Sequence, residues 1–376
     1  MGGYARLEDH RSMLFDEVRN SAYGRAIAAA VTPDSVVVDL GAGLGLHGLL
    51  AARAGARKVY LVEPEPIIEV TRRVVAANGL KNVELLEVRA EELELAEPVD
   101  LLISVFTGNF LLAEDLLPSL FVARDRCLRV GGHMIPDRVQ MQVAPVSAGA
   151  YYQRRVGCWD SAAPVLQGLD YSAARGYAAN TAYTDSAEIV EPELLASPST
   201  LLELDLLTAD NAVCHHGIDT TVTTDGICHG WLGWFRMRLG DEWLSTSPEA
   251  TAMHWDQVLL PLDPPLSLAA GDSISLNLQR PQYGDWVWRT RAAAGEQWAS
   301  TFFAAPPPLG KLHKWADHYQ PTGTAMAEAA TYVLSCFDGT TTAIDIAAAV
   351  FSRWPAGFRD ADDALRFVRR LVEKYG

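Results

Sequence analysis

The apolar residues of this chain follow helical spacing at first and then an alternating strand–helix pattern. Residues 1–32 carry an apolar stripe from Met13 to Ile27, which predicts amphipathic N-terminal helices. Residues 33–137 alternate apolar runs such as "SVVVDLG" and "KVYLVE" with helical stretches such as "LHGLLAARAG" and "FLLAEDLLPSLFVARDRCL". Strands that alternate with helices predict a parallel sheet covered on both faces, that is, a Rossmann-like α/β domain.

The pattern changes after Pro136. Residues 138–303 contain short alternating runs separated by turn residues, which predicts an antiparallel β domain. A Tyr- and Ala-rich segment, residues 151–185, interrupts this pattern and reads as a helical insertion. Residues 304–376 begin with a proline-rich linker and continue as three helical stretches, which we interpret as a small winged-helix-like module.

Charge and cysteine content narrow the functional classes. The formal net charge of −16 disfavours a nucleic-acid partner, because phosphates would be repelled. The five cysteines lie far apart without a CxxC pair, so neither a disulfide framework nor a metal site is expected. No signal peptide or membrane-spanning run is evident. These features predict a reduced cytoplasmic protein without a membrane or nucleic-acid partner.

The strongest local signal is the turn "VVVDLGAGLGLHG". Gly41, Gly43 and Gly45 follow a strand directly and open a helix, as a backbone that turns sharply around a ligand requires. Glu63 ends the next strand, where a carboxylate can accept both hydroxyls of a ribose. Leu46 occupies the third glycine position of the dinucleotide fingerprint, which favours S-adenosylmethionine (SAM) over a dinucleotide.

Six segments, taken in order, resemble the protein arginine methyltransferases, a branch of the class I SAM-dependent methyltransferases. The resemblance runs from Tyr4 to about Ala294. The segments are "YARLEDHRSMLFDEVRNSAYGRAI", "VVVDLGAGLG", "KVYLVEP", "VRAEELEL", "GGHMIPDRV" and the stretch from "CHGWLGWFRMRL" to "WDQVLLPL". The resemblance implies a SAM-binding domain followed by an antiparallel β-barrel. It also implies that residues 151–185 form a helical arm that builds a homodimer.

The resemblance also implies roles for individual cofactor-side residues. Arg19 would pair with the SAM carboxylate, and Glu63 would hold the ribose. Ala90 and Glu91 would bind the adenine, while His10 and Met13 would line the methyl-transfer end. The complete implied cofactor set is His10, Met13, Arg19, Asp39, Gly41, Gly43, Gly45, Glu63, Pro64, Ala90 and Glu91.

The segment "SVFTGNFLLAE" resembles the family's acceptor loop but departs from it. In the family, two glutamates of this loop grip the substrate guanidinium. Glu114 matches the second glutamate, whereas Val105 stands in place of the first and Asn109 in place of a common aromatic residue. The lost carboxylate makes the pocket more apolar, which suits a flat, neutral acceptor.

The resemblance places His254 and Trp255 in the family's Thr-His-Trp loop, with Met253 replacing the threonine. We expect Glu114 and His254 to act in proton removal. The expected acceptor contacts are Tyr4, Tyr23, Val105, Asn109 and Trp255.

Three functions are considered. The preferred one is C3 methylation of an indole in a tryptophan-derived metabolite of a biosynthetic pathway. The others are N-methylation of free or peptidyl arginine, and a SAM-binding scaffold without activity.

Overall fold

The computed structural model describes residues 6–160, 166–184, 192–307 and 309–376. The chain divides into two compact units, Met1–Pro306 and Pro307–Gly376. Within the described ranges, no helix is both long and apolar enough to cross a membrane.

The first unit contains a five-stranded parallel sheet in the order β3-β2-β1-β4-β5. Its strands are β1 (Val36–Leu40), β2 (Lys58–Val62), β3 (Val83–Leu86), β4 (Val99–Ser104) and β5 (Leu128–Ile135). All five residues of β1 are buried, as expected for a central strand covered on both faces. This sheet confirms the predicted Rossmann-like domain.

Five α-helices belong to the described residues of this part of the chain. They are α1 (Leu7–Leu14), α2 (Glu17–Ala30), α3 (Leu46–Arg53), α4 (Ile68–Ala77) and α5 (Leu117–Cys127). The helix predicted over "FLLAEDLLPSLFVARDRCL" begins only at Leu117. Phe110, Leu111 and Asp115 have positive φ angles of 49°, 64° and 54°, and a right-handed helix cannot contain such residues.

The strand order reverses next to β1. Its neighbours are β2 on one side and β4 on the other, so successive connections run to opposite sides of the sheet. In open α/β sheets, ligands bind outside the carboxyl ends of the strands at such a reversal. The segments that follow β1 and β4, namely the glycine-rich turn and the loop after Ser104, therefore meet at the same cleft.

Two antiparallel sheets follow the parallel sheet. The larger contains β6 (Arg138–Ser147), β7 (Glu193–Leu194), β8 (Ser199–Asp205), β10 (Gly226–Leu239), β11 (Glu242–Ser245) and β12 (Val258–Leu268). The smaller contains β9 (Cys214–Thr221), β13 (Ser273–Arg280), β14 (Val287–Ala292) and β15 (Gly295–Ser300). They form the predicted barrel-like β domain. Many of its buried residues share one apolar core with the parallel sheet, while Ala144, Val146, Leu232, Trp234 and Leu259 form a separate cluster with Tyr151 of α6.

The predicted arm, residues 151–185, is described in part. It includes most of α6 (Gly149–Arg155) and all of α7 (Arg175–Ala179), while residues 161–165 and 185 lie outside the described ranges. Arg175 joins α7 to the β domain through hydrogen bonds of 2.7–3.2 Å to both carboxylate oxygens of Asp263. The described part of the segment contains short helices, as predicted, joined by turns and a β-bridge of Tyr183 to Leu259.

The second unit is helical. It contains α8 (Leu309–Lys314), α9 (Ala325–Ser335), α10 (Ala343–Arg353) and α11 (Ala361–Tyr375). Thr324, Thr342 and Asp360 cap the last three helices by accepting backbone N–H groups with their side chains. No strand occurs in the described part of this unit, so the β wing of a winged helix is not seen there.

Candidate active site

The glycine-rich turn lies at the carboxyl end of β1. Gly41, Gly43 and Gly45 all adopt positive φ, at 67°, 51° and 79°, a conformation that glycine adopts without steric cost. The Gly43 N–H donates to Glu63 Oε2 at 2.8 Å. The Gly48 N–H, in the first turn of α3, donates to Asp39 Oδ2 at 2.7 Å. The carboxylates of Asp39, in β1, and of Glu63, directly after β2, thus hold the turn in place by accepting its backbone N–H groups.

Both of these carboxylates are buried. Burial raises the pKa of Asp39 to about 7, and the neighbouring Glu63 raises it further against the effect of the Gly48 N–H. Burial also raises the pKa of Glu63, although the backbone N–H groups of Glu65 and Gly43 oppose this effect. Such shifts are typical of carboxylates that line a ligand site.

A cavity of about 410 Å³ opens between the turn, the N-terminal helices and the loop after β4. It is lined by His10, Met13, Leu14, Arg19, Asp39, Gly41, Ala42, Gly43, Leu44, Leu46, His47, Glu63, Pro64, Glu65, Val105, Phe106, Thr107, Asn109, Glu114, Leu116, His254 and Trp255. Its volume is that of a typical small-molecule site.

Helix α2 directs a cation into this cavity. Asp16 caps the helix by accepting the Arg19 N–H at 3.0 Å, which sets the first turn. The Arg19 guanidinium donates to the Met13 carbonyl at 2.6 Å and lies 5.7 Å from the centre of the Trp255 ring. Burial lowers the pKa of Arg19 from its ordinary value, against the opposing effect of the nearby Asp16 and Asp39 carboxylates.

His254 pairs with Asp16. Its Nδ1 lies 2.7 Å from Asp16 Oδ2, and its backbone N–H donates to the same oxygen at 3.0 Å. Burial tends to raise the pKa of Asp16, but hydrogen bonds from His254 and Arg19 outweigh it and hold that pKa below its ordinary value. Because Asp16 is ionised, we assign the proton of the neutral imidazole to Nδ1, which donates it to the Asp16 carboxylate. Nε2 is then the ring nitrogen that can accept a second proton.

We call residues 105–116, which follow β4, the acceptor loop. Thr107 accepts a hydrogen bond from Trp255 Nε1 at 3.0 Å, and Asn109 Oδ1 accepts the Asp256 N–H at 3.1 Å. These bonds tie the acceptor loop to the segment that carries His254. The loop also contacts the glycine-rich turn, because a Cβ atom at Gly41 would lie only 2.3 Å from the Phe106 ring.

Most of the predicted site residues meet in this one cavity. The exceptions are Tyr23, Gly45, Ala90 and Glu91, which do not line it, and Tyr4, which lies outside the described residues. Tyr23 is fully buried, and its hydroxyl donates to the Ser104 carbonyl at 3.0 Å. It therefore packs beneath the site and does not face an acceptor. The side chain of Glu91 accepts a hydrogen bond from Ser119.

Sequence reasoning missed four polar residues in or next to the site: Asp16, His47, Glu65 and Thr107. Asp16 carried a signal, because Asp directly before a helical stretch predicts an N-cap, but nothing in the sequence pairs it with His254. His47 is buried and stacks on Tyr23 with ring centres 4.4 Å apart, and burial lowers its pKa to about 3. Its Nε2 has no hydrogen-bond partner among the residues that the structure describes.

The residues present fit SAM. The turn packs closely against the N-terminal helix, since a Cβ at Gly43 would lie 2.8 Å from His10 Nδ1, and the Gly43 N–H is held by Glu63. Glu63 supplies two carboxylate oxygens after the end of β2, and Arg19 supplies a buried guanidinium to the same cavity. SAM carries ribose hydroxyls and a carboxylate, and these groups are chemically complementary to Glu63 and Arg19, respectively.

Comparison with known proteins identifies the family. The family described as "Arginine methyltransferase oligomerization subdomain" matches residues 137–287, and the family described as "Methyltransferase domain" matches residues 37–132. Protein arginine N-methyltransferase 2 of Xenopus tropicalis is 34% identical over 79% of this chain and 71% of its own length. Protein arginine N-methyltransferase 1 of Schizosaccharomyces pombe is 30% identical over 72% of this chain and 81% of its own length.

The chain belongs to the protein arginine N-methyltransferase family. Among solved structures, the Trypanosoma brucei PRMT1 enzyme-prozyme heterotetrameric complex with AdoHcy superposes with a TM-score of 0.70 and 26% identity. The superposition covers 79% of this chain and 99% of the chain in that structure. The protein is therefore a SAM-dependent methyltransferase with SAM as cofactor, and it carries the family's oligomerization subdomain.

Membership in this family corrects the preferred functional prediction. The acceptor was predicted to be an indole of a biosynthetic pathway, and that prediction is contradicted by relatives named as protein arginine N-methyltransferases. The error arose from the weight given to Val105 and to the other apolar residues near the acceptor. The lining of the cavity is largely apolar, but it also includes four carboxylates, namely Asp39, Glu63, Glu65 and Glu114.

Proposed function

We propose that this protein transfers a methyl group from SAM to a guanidinium nitrogen of arginine, either free or in a polypeptide. One observation carries the proposal: Glu114 lines the cofactor cavity in a chain whose curated relatives are named as arginine N-methyltransferases. A guanidinium is a permanent cation with a forked set of donors, and a carboxylate matches both properties.

On the cofactor side, Glu63 would accept the ribose hydroxyls and Arg19 would pair with the carboxylate. The turn around Gly41 and Gly43 would lie against the methionine part. Bound SAM supplies a methyl group already activated by a sulfonium leaving group. The protein therefore has two tasks, which are to hold the acceptor nitrogen in line with that methyl group and to remove a proton.

On the acceptor side, Glu114 would orient the guanidinium and offset its charge. Val105 replaces the first glutamate of the family pattern, so Glu114 has no partner acid at that position, and we expect weaker binding of arginine and a high KM. The remaining carboxylates of the cavity partly compensate, because Glu63 and Glu65 keep its potential favourable to a cation.

Proton removal would fall to the pair of Asp16 and His254. The ionised Asp16 orients the imidazole through its Nδ1–H and stabilises the imidazolium that forms when Nε2 accepts a proton. Trp255 holds the segment in place through its bond to the Thr107 carbonyl.

The proposed assembly is a homodimer formed through residues 151–185. The matched oligomerization subdomain supports this proposal, because it spans residues 137–287. Exposed apolar side chains of the segment support it as well: Leu169, Tyr171 and Tyr177 are 61%, 45% and 41% exposed.

Incubation with methyl-labelled SAM tests the proposed acceptor. Free arginine and an Arg-Gly-rich peptide are the substrates, and the same peptide with lysine in place of arginine is the matched control. We expect methylarginine by mass spectrometry from an arginine substrate and no labelled product from the lysine peptide. Absence of methylarginine from both substrates, despite SAM binding measured by calorimetry, would contradict the proposal.

Glu63→Gln is expected to weaken SAM binding by about tenfold to a hundredfold, because a neutral amide accepts ribose hydroxyls less strongly than a carboxylate does. Titration calorimetry with SAM measures the loss. Glu69→Gln is the control, since this glutamate lies on the exposed face of α4 and does not line the cavity. Equal affinity of the Glu63 variant and the wild type would remove Glu63 from the proposed ribose site.

A further inference from the structure

The acceptor loop is fixed from outside the cavity by residues of the β domain. Arg280, the last residue of β13, forms a forked pair with Asp115: Nη1 lies 2.6 Å from Oδ1 and Nη2 lies 2.7 Å from Oδ2. The Arg280 side chain is only 4% exposed. The backbone N–H of Tyr283 donates to the same carboxylate at 2.9 Å. Asp115 is the residue that directly follows Glu114.

A second contact holds the loop on the other side of Glu114. The rings of Phe110 and Trp286 stack with centres 5.2 Å apart, and the Arg280 guanidinium lies 5.2 Å from the centre of the Trp286 ring. Gly233 makes room for Phe110, because a Cβ there would lie 2.5 Å from the ring. Arg280, Trp286 and Tyr283 thus form a clamp around Phe110 and Asp115.

The loop requires such a clamp. Three of its residues, Phe110, Leu111 and Asp115, have positive φ, a conformation that is strained for residues other than glycine. The backbone also passes close to Glu114, since a Cβ at Gly108 would lie 2.7 Å from Glu114 Cγ. Contacts from the β domain to Phe110 and Asp115 offset this strain.

We infer that Arg280 is a positioning residue for Glu114, acting through Asp115. The inference rests on the proposed function, in which Glu114 orients the acceptor nitrogen. Arg280 does not line the cavity, so it has no role in contacting the acceptor itself. Hydrogen bonds from Arg280 and Tyr283 outweigh burial and hold the pKa of Asp115 below its ordinary value, so this carboxylate stays ionised and paired.

Positioning matters more in this chain than in a site with two acids. A single carboxylate must align the guanidinium without a second one to correct its angle. A displacement of about 1 Å in a group that orients a substrate can cost about a hundredfold in rate. The clamp therefore holds Glu114 rigidly. This rigidity replaces part of the orientation of the guanidinium that a carboxylate at position 105 would provide.

Arg280→Lys tests the inference. Lysine keeps the positive charge but cannot form the forked pair, so the loop gains freedom. We expect kcat for arginine methylation to fall about tenfold to a hundredfold, with SAM affinity by calorimetry unchanged. Arg238→Lys is the matched control, because Arg238 forms a forked pair with Asp137 in the same β domain but outside the cavity. Asp115→Asn is the second variant if Arg280→Lys does not fold.

Hydrogen exchange over residues 105–116 provides a readout that needs no acceptor. We expect faster exchange there in Arg280→Lys than in the wild type and no such change in Arg238→Lys. Unchanged exchange, or a kcat no lower than in the control, would overturn the inference. Wild-type protein that makes no methylarginine would overturn the proposed function instead, while the exchange rates would still decide whether the clamp exists.

Discussion

A Glu114→Gln variant is expected to lose arginine methylation by about a hundredfold to a thousandfold while binding SAM as tightly as the wild type. Glutamine has the same shape but no negative charge, so the guanidinium would enter the cavity without its partner. An unpaired cation in such a site costs about 2–5 kcal/mol. Initial rates with labelled SAM and an Arg-Gly-rich peptide measure the effect.

The control for this experiment separates charge from folding. Glu373→Gln changes the same functional group on the exposed face of α11, in the smaller unit, and should leave the rate unchanged. SAM affinity of the Glu114 variant should match that of the wild type, because the proposed ribose contact is Glu63. A rate within threefold of the wild type would remove Glu114 from its proposed role in holding the acceptor.

Asp16→Asn is expected to lower kcat by about a hundredfold with little change in stability. Asparagine is as good an N-cap as aspartate, so it can still accept the Arg19 N–H and helix α2 should keep its first turn. The variant removes the charge that stabilises an imidazolium at His254, which makes proton removal less favourable. Steady-state rates from pH 6 to 9 and thermal unfolding measure the two effects.

His254→Ala should reproduce the loss in Asp16→Asn, and the double variant should lose no more than the worse single variant. Residues that act as one unit show this non-additivity. His216→Ala, at an exposed position of β9, is the control. Additive losses in the double variant would mean that Asp16 and His254 act separately, and the proposed proton acceptor would then be wrong.

The fold was largely predictable because its signals are local. Buried apolar runs, glycines after helices and the turn from Gly41 to Gly45 specify strands, helix ends and the cofactor side within short windows. The error at the acceptor loop has a physical cause. Apolar residues such as Phe110 and Leu111 resemble a helix in sequence, but Trp286 and Arg280 hold them in a conformation that no local pattern encodes.

The site was less predictable, since its pairs join distant parts of the chain. The contact of Asp16 with His254 spans 238 residues, and that of Asp115 with Arg280 spans 165. A single sequence contains nothing that couples such positions. The preference for an indole failed for another reason. The substitution at Val105 was given more weight than the family resemblance, and Glu65, which lines the same cavity as Glu63 and Glu114, was missed.

The contact between Gly41 and Phe106 has a consequence for how this pocket can change over time. Any side chain larger than hydrogen at position 41 would collide with the ring at position 106, so the two positions cannot vary independently. An altered residue in the cofactor turn would first need a smaller residue in the acceptor loop. The order of substitutions therefore matters. The acceptor loop can change while the cofactor turn stays the same, whereas a substitution of Gly41 made first would produce a steric clash with Phe106.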